Sequence, residues 1–197
     1  MISDFIAQEP LLEVKSYLEK ARDLNLRDWN GMTISTVDKD LKPSSRVVLL
    51  KKFTDEALFF YTNYKSKKGK DISKNKNVSI NFWWRELQVQ IRINGTISEA
   101  SREESQDYFN SRPVESRISA IVSKQSEPLD SFETFTNQIQ EATVNLREQD
   151  IKLPEHCGLY KVIPLEIEIW KEVKFRRHER TLYCLKENKW ITTYLYP

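Results

Sequence analysis

The sequence predicts a single mixed domain of the α+β class, mainly β, with roughly seven or eight strands and three or four helices. Three observations predict it. Apolar runs of strand length, several of them strictly alternating, recur through the first half of the chain and again near its end. Only a few stretches carry a helical stripe. Aromatic residues make up 11% of the chain beside only four glycines, and no internal repeat, low-complexity segment or flexible linker interrupts it.

Pro10 stands where a first helical residue would, and Leu11, Val14, Leu18 and Ala21 then recur at helical spacing. Residues 10–23 therefore read as an amphipathic helix whose stripe is core. Residues 32–37 (MTISTV) alternate as a strand, Asp38-Lys39-Asp40 makes a turn, and Pro43 separates this strand from the next. Apolar runs at 47–50 and 57–61 flank the polar turn Thr54-Asp55-Glu56 and read as a β-hairpin. Residues 69–76 form either a short helix or a loop, with Ile72 as apolar anchor. Residues 78–84 (VSINFWW) and 87–97 (LQVQIRINGTI) are two further long strands. In the second, Leu87, Val89, Ile91 and Ile93 share one face and Gln88, Gln90 and Arg92 the other. Ser101 with Glu104 makes a capping box for a helix running to about Ser111, and Pro113 starts a second short helix carrying Ile118, Ile121 and Val122. After a loop at 125–130, Phe132, Phe135, Ile139, Ala142 and Leu146 fit one stripe of a long amphipathic helix that ends before Pro154. Residues 159–162 and 165–170 read as two strands separated by Pro164, with Glu166 and Glu168 alternating with Ile167 and Ile169. Strands at 181–185 and 190–196 close the chain around a turn at 186–189.

Lys and Arg total 31 against 29 for Asp and Glu, so a net charge of +2 provides no global field for nucleic acid or membrane, and any anion site is local. Cations do cluster around the first hairpin. Arg46 opens it, Lys51 and Lys52 close its first strand, and Lys65, Lys67, Lys68 and Lys70 follow the second together with the hydroxyls of Thr62 and Ser66. That set suits a phosphorylated small molecule, and equally a solvated basic loop. Gln90 in mid-strand is either a polar contact or part of an exposed sheet face. Tyr108, Arg112 and Ser116 recur every four residues, as a surface ladder or as donors to one phosphate, provided the break at Pro113 does not turn them apart. His156 and His178 have no partner at ligand spacing, so no metal is expected. Cys157 and Cys184 are not ligand-spaced either and read as thiols in a reducing compartment. The N-terminus lacks a signal-peptide pattern and no run approaches a membrane span, so the expected location is cytoplasmic. No GxSxG, Walker A or GxGxxG motif occurs. Anion binding must come from side chains, and an organic cofactor would have to carry any redox chemistry.

The segments 46–51 (RVVLLK), 60–63 (FYTN), 108–116 (YFNSRPVES), 122–126 (VSKQS) and the RRHER run within 170–180, in this order and at these separations, resemble the pyridoxine/pyridoxamine 5'-phosphate oxidase family. The resemblance covers the chain from about Pro10. It implies a homodimeric split β-barrel with peripheral helices that binds FMN in clefts between two subunits, one domain over residues 1–197 with 1–9 flexible. The FMN contacts implied are Arg46, Val47, Val48, Leu49, Leu50, Lys51, Tyr61, Thr62, Lys67, Lys68, Gln90, Gln125, Ser126, Trp170 and Arg180. Lys51, Tyr108, Arg112 and Ser116 match the group that holds the substrate phosphate. Arg176 and His178 match the catalytic pair over and beside the pyridine ring, with Arg177 between them among the substrate contacts. The implied reaction passes a hydride from the substrate C4' carbon to flavin N5, O2 then yielding H2O2 and the vitamin B6 5'-phosphate substrate becoming pyridoxal 5'-phosphate.

The chain departs from the family pattern at Arg177, where an aliphatic residue is usual, at Ile169 and Lys171 around Trp170, and at Cys157-Gly158-Leu159 in place of Trp-Gly-Gly. The basic, tyrosine-containing N-terminal segment of bacterial members has no counterpart before Pro10. An oxidase of another planar molecule, of the phenazine-biosynthesis type, and a non-catalytic flavin-binding protein are therefore the alternative readings.

Overall fold

The computed structural model describes residues 10–197, so the expectation of flexibility at 1–9 lies outside the described residues. The chain runs α1 (Pro10–Asp23), β1 (Gly31–Val37), β2 (Pro43–Phe53), β3 (Leu58–Asn63), α2 (Lys67–Lys74), β4 (Asn77–Trp84), β5 (Val89–Glu99), α3 (Arg102–Asn110), α4 (Val114–Val122), α5 (Phe132–Asn145), β6 (Cys157–Lys171), β7 (Glu179–Lys186) and β8 (Lys189–Tyr194). All strand pairings are antiparallel, in the order β3-β2-β1-β4-β5-β6-β7-β8, and an added β3–β6 pairing closes the first six strands into a barrel. The class is α+β and mainly β, a split β-barrel with peripheral helices. Of the two readings of residues 69–76, the helix holds, starting earlier at Lys67 because the Ser66 side chain caps it by accepting from the Gly69 N–H.

Strand alternation builds the barrel interior. Met32 and Ile34 of β1, Ile80 and Phe82 of β4, Ile91 and Ile93 of β5, and Ile167 and Ile169 of β6 all point inward and are fully buried. The stripe of α1 plugs this core with Leu11, Val14, Leu18 and Ala21, each large apolar side chain contributing roughly 1.5–3 kcal/mol on burial. β3 is buried almost continuously rather than alternately, because Phe60 faces the barrel while Ala57 and Phe59 pack outward with Leu159 beneath α3.

Two boundaries and the burial of one helix differ from the sequence reading. β5 begins at Val89, because Gln88 takes a left-handed φ of 52° and donates its N–H to the Arg85 carbonyl in the preceding turn. The long helix α5 lies where expected, but its stripe residues Phe135, Ile139, Ala142 and Leu146 are only half-buried and Phe132 is 88% exposed. The helix packs chiefly on α4.

The two strands expected around Pro164 are one 15-residue strand, β6. Its first half pairs with β3 through Val162 and its second half with β7 from Glu166, so Pro164 falls where the strand changes neighbours and lacks no ladder bond on that side. A register shift against β5 at the same place moves the inward face from Tyr160 and Val162 to Ile167 and Ile169.

Candidate active site

β2 is where the barrel splits. β1 pairs with it along residues 43–49, whereas β3 engages it only from Leu50 to Phe53. The β3-facing edge of residues 46–49 is therefore open, and Arg46, Val47, Val48 and Leu49 form one wall of a groove of about 610 Å³. An open strand edge presents backbone donors and acceptors, which is how apolar residues such as Val47 and Leu49 can recognise a polar ligand. Leu50 behaves differently. Strand parity turns its side chain into the core at 6% exposure, away from the groove.

A register shift between Leu50 and Lys52 aims the two lysines apart. Lys51 lines the groove with its ammonium 5.8 Å from the Tyr108 ring centre, while Lys52 leaves to pair with Glu104 at 2.7 Å. Tyr61 and Thr62 of β3 form the floor. Opposite stand Tyr108, Arg112 and Ser116, which the turn at Pro113 keeps together on the groove rather than parting. The Tyr61 and Tyr108 rings lie 5.2 Å apart and the Arg112 guanidinium sits 4.8 Å from the Tyr61 ring centre. Burial with the neighbouring Cys157 pushes the Tyr61 phenol far above its ordinary value, so it remains a neutral surface.

Lys68 is the buried cation of the groove. It is 8% exposed, and its ammonium donates to the Thr62 hydroxyl at 2.9 Å, the Ser66 hydroxyl at 3.3 Å and the Gln125 amide oxygen at 2.8 Å, all neutral partners. Gly69 allows this placement, because a Cβ there would lie 1.9 Å from the Tyr64 carbonyl oxygen on which α2 packs. Gln125 and Ser126 close the groove, Ser126 with a left-handed φ of 75°. Lys67, by contrast, does not line the groove. Its ammonium bonds Asp71 at 2.6 Å and approaches Asp38 at 3.6 Å.

The groove thus gathers Arg46, Lys51, Lys68 and Arg112 with no carboxylate among its described lining residues. Burial, and then the charge of Arg46, push Lys68 down from 10.5 to about 8. Between pH 8 and 10.5 the unfolded chain holds this proton and the folded chain does not. Lys68 therefore makes stability rise with pH across that window, its penalty being complete below about pH 8. An anion needs the protonated form. Affinity for inorganic phosphate is expected to fall as pH rises above about 8, as a calorimetric titration at several pH values would record; a pH-independent affinity would remove Lys68 from the anion site.

A second cluster lies on β5, β6 and β7. Gln90, Trp170 and Arg180 are direct cross-strand neighbours in one row, with Trp83 of β4 beyond Gln90. The Trp170 and His178 ring centres are 4.5 Å apart. His178 Nδ1 accepts the Val173 N–H at 3.3 Å, which leaves the ring proton of the neutral form on Nε2. Arg176 and Arg177 are exposed beside it, Arg176 and Phe175 both holding left-handed φ values of 59° and 61°. Buried Glu168 accepts from Arg92 and from Arg180 Nε at 2.8 Å, and Arg180 also donates to the Tyr196 carbonyl at 3.0 Å. None of Gln90, Trp170, Arg176, Arg177, His178 or Arg180 lines the β2 groove. Within one chain the expected residues other than Leu50 and Lys67 fall into two separate clusters, one along β2 and one across β5, β6 and β7.

Sequence reasoning missed Thr36, Ser44, Asp71 and the clamping role of Glu168. Thr36 left a signal, being a polar residue in phase with inward-facing Met32 and Ile34.

Residues 18–145 match the family model described as pyridoxamine 5'-phosphate oxidase, and residues 158–197 match that of the pyridoxine 5'-phosphate oxidase C-terminal dimerisation region. A pyridoxine/pyridoxamine 5'-phosphate oxidase from Nostoc sp. (strain PCC 7120) is 41% identical over 189 residues, covering 95% of this chain and 88% of the relative. A crystal structure of PhzG from Burkholderia lata 383 in complex with tetrahydrophenazine-1-carboxylic acid superposes with a TM-score of 0.91 at 27% identity, over 98% of this chain and 95% of that one. A pyridoxamine 5'-phosphate oxidase-related, FMN binding protein from Nostoc punctiforme shares the fold, with a TM-score of 0.76 at 15% identity over 94% and 95% of the two chains.

Proposed function

The chain belongs to the pyridoxamine 5'-phosphate oxidase family, whose cofactor is FMN, and we propose that it oxidises pyridoxamine or pyridoxine 5'-phosphate to pyridoxal 5'-phosphate as a single-domain protein. Bound FMN supplies the hydride acceptor and the route of the electrons to O2, with H2O2 as co-product, and the imine formed from the amine substrate is hydrolysed to the aldehyde.

The observation that carries this reading is the carboxylate-free groove and the way its cations divide. Arg46 and Lys68 stand together, close enough for the charge of Arg46 to depress Lys68, and fit the FMN phosphate with Thr62, Gln125 and Ser126. Lys51 and Arg112 stand around the Tyr61–Tyr108 pair with Ser116 and fit the substrate phosphate. The buried Nη1 of Arg112 has no hydrogen-bond partner among the described residues, and a phosphate oxygen would supply one. Fixing both phosphates and stacking the rings holds the reacting atoms in line, which is the main contribution required of the protein.

The Trp170 cluster completes the site from a second copy of the chain. Trp170, Arg176, Arg177, His178 and Arg180 lie in the segment that matches the dimerisation region, and Val47 in the groove wall and Trp83 beside Gln90 are 66% and 48% exposed. In this homodimer Gln90 is a polar contact to the flavin, and Arg180, aimed by Glu168, steadies its charge. Arg176 and His178 lie over and beside the substrate ring with Arg177 adjoining. The cysteines are both free, which fits a cytoplasmic location.

Purified protein is expected to be yellow, and pyridoxine 5'-phosphate added under nitrogen is expected to bleach it. The likeness to PhzG favours one other reading, oxidation of a planar phenazine precursor. Bleaching by such a molecule and not by the vitamin would select it. Colour that survives both would point to a non-catalytic flavin protein, and colourless protein that FMN cannot reconstitute would overturn all three.

A further inference from the structure

Asp71 of α2, outside the groove lining, is 2% exposed and its carboxylate accepts three hydrogen bonds. Its Oδ2 accepts the hydroxyl proton of Thr36 at 2.7 Å and of Ser44 at 3.1 Å, and its Oδ1 accepts from the Lys67 ammonium at 2.6 Å. Burial opposes the charge on Asp71, but these three donors together hold its carboxyl below the ordinary value. An ionised carboxylate only accepts, and a hydroxyl has one proton to give. With both hydroxyl protons directed at Asp71, the lone pairs of Thr36 and Ser44 turn the other way, where Arg46 meets them. Its Nη1 donates to the Thr36 oxygen at 2.8 Å and to the Ile34 carbonyl at 3.4 Å, and its Nη2 donates to Ser44. Three of the five guanidinium N–H groups are thus held on the protein side and two remain for a ligand in the groove.

The geometry points to Asp71 as a positioning residue that aims Arg46 at the FMN phosphate through the hydroxyls of Thr36 and Ser44, a role that rests on the FMN reading above. Lys67 completes the device. A bare carboxylate this near Arg46 would cancel part of the attraction for phosphate, and the Lys67 ammonium on Oδ1 neutralises it. This gives Lys67 a purpose at a position where it does not reach the groove. An asparagine at 71 would keep the shape, but with the Lys67 ammonium holding its amide oxygen its nitrogen takes the Oδ2 place and presents N–H groups to both hydroxyls, which then turn their own protons towards Arg46.

The test is the rate at which holoprotein releases FMN into flavin-free buffer, followed by the rise in flavin fluorescence. Wild type is compared with Asp71→Asn, Thr36→Val and the double variant, with a melting curve for each. Asp71→Asn and Thr36→Val are each expected to speed release about tenfold, and the double variant no further, because both cut the same chain of bonds. A purely structural role would lower the melting midpoint and leave the release rate of Asp71→Asn within about twofold of wild type, and this result, or multiplicative effects in the double variant, would overturn the inference. Ser44→Ala, at a half-buried position, keeps the test available if Asp71→Asn fails to fold. It is expected to speed release about threefold with an unchanged midpoint, and an unchanged rate would again overturn the inference. Wild-type protein that never holds FMN would instead overturn the cofactor reading itself, a distinct failure.

Discussion

Arg176→Ala is expected to lower kcat/KM for pyridoxine 5'-phosphate by roughly 100-fold while the protein keeps its FMN, whereas Lys68→Ala is expected to weaken FMN binding by about 10–100-fold. The contrast follows from where the two cations stand. Arg176 is exposed next to His178, which packs on Trp170, and it makes no ion pair among the described residues. Its backbone is left-handed, as is that of Phe175, a conformation costing roughly 1–2 kcal/mol for each such residue. A side chain held out in this way without a protein partner is available to a substrate ring and contributes little to the fold. Lys68 is buried against Thr62, Ser66 and Gln125 with its charge uncompensated, so an anion in the groove is what relieves it. Flavin absorbance after gel filtration and steady-state kinetics measure the two quantities separately. Equal losses of both in each variant would show that the assignment of Lys68 to the cofactor and Arg176 to the substrate is wrong.

The second large effect concerns the barrel. Gly95→Ala is expected to destabilise the protein by about 3 kcal/mol, because relieving the overlap requires movement of backbone and not of a side-chain tip. A Cβ at position 95 would lie 2.2 Å from the Ile163 carbonyl oxygen and 3.1 Å from the Pro164 Cα. This is the point where β6 shifts register against β5 and exchanges β3 for β7 as its neighbour. Proline at 164 and glycine at 95 are therefore two halves of one crossing, the first tolerating a missing N–H and the second a missing Cβ. Urea denaturation followed by tryptophan fluorescence would measure the effect. A midpoint unchanged from wild type would mean that the crossing can open without cost.

Most of the strand content was legible in the order of residues. Period-2 alternation at 32–37, 78–84 and 89–97 determined which side chains would face inward, since a pleated strand leaves no other choice once one face is buried. The capping box at Ser101 and Glu104 likewise placed the start of α3. The motif residues around β2, β3, α3 and α4 could be singled out from their order and spacing, and those named as contacts line one groove apart from Leu50 and Lys67.

Other features depended on contacts between segments remote in sequence. Pro164 reads as a break until the neighbour on its other side is known, and the stripe of α5 marks an amphipathic helix without showing that it packs chiefly on α4 and stays half-buried. Leu50 and Lys67 carry the same motif signal as Val47 and Lys68. Strand parity turns the first into the core, and Asp71, folded in from α2 against β1 and β2, draws the second out of the groove. By itself the sequence determined which residues are chemically able to hold two phosphates and a flat ring, because that ability belongs to side-chain type and local spacing. Which of them face the groove, which only steady its walls, and that one chain carries them in two separate clusters were decided by the tertiary structure, because direction and distance across a barrel arise only when its strands are paired.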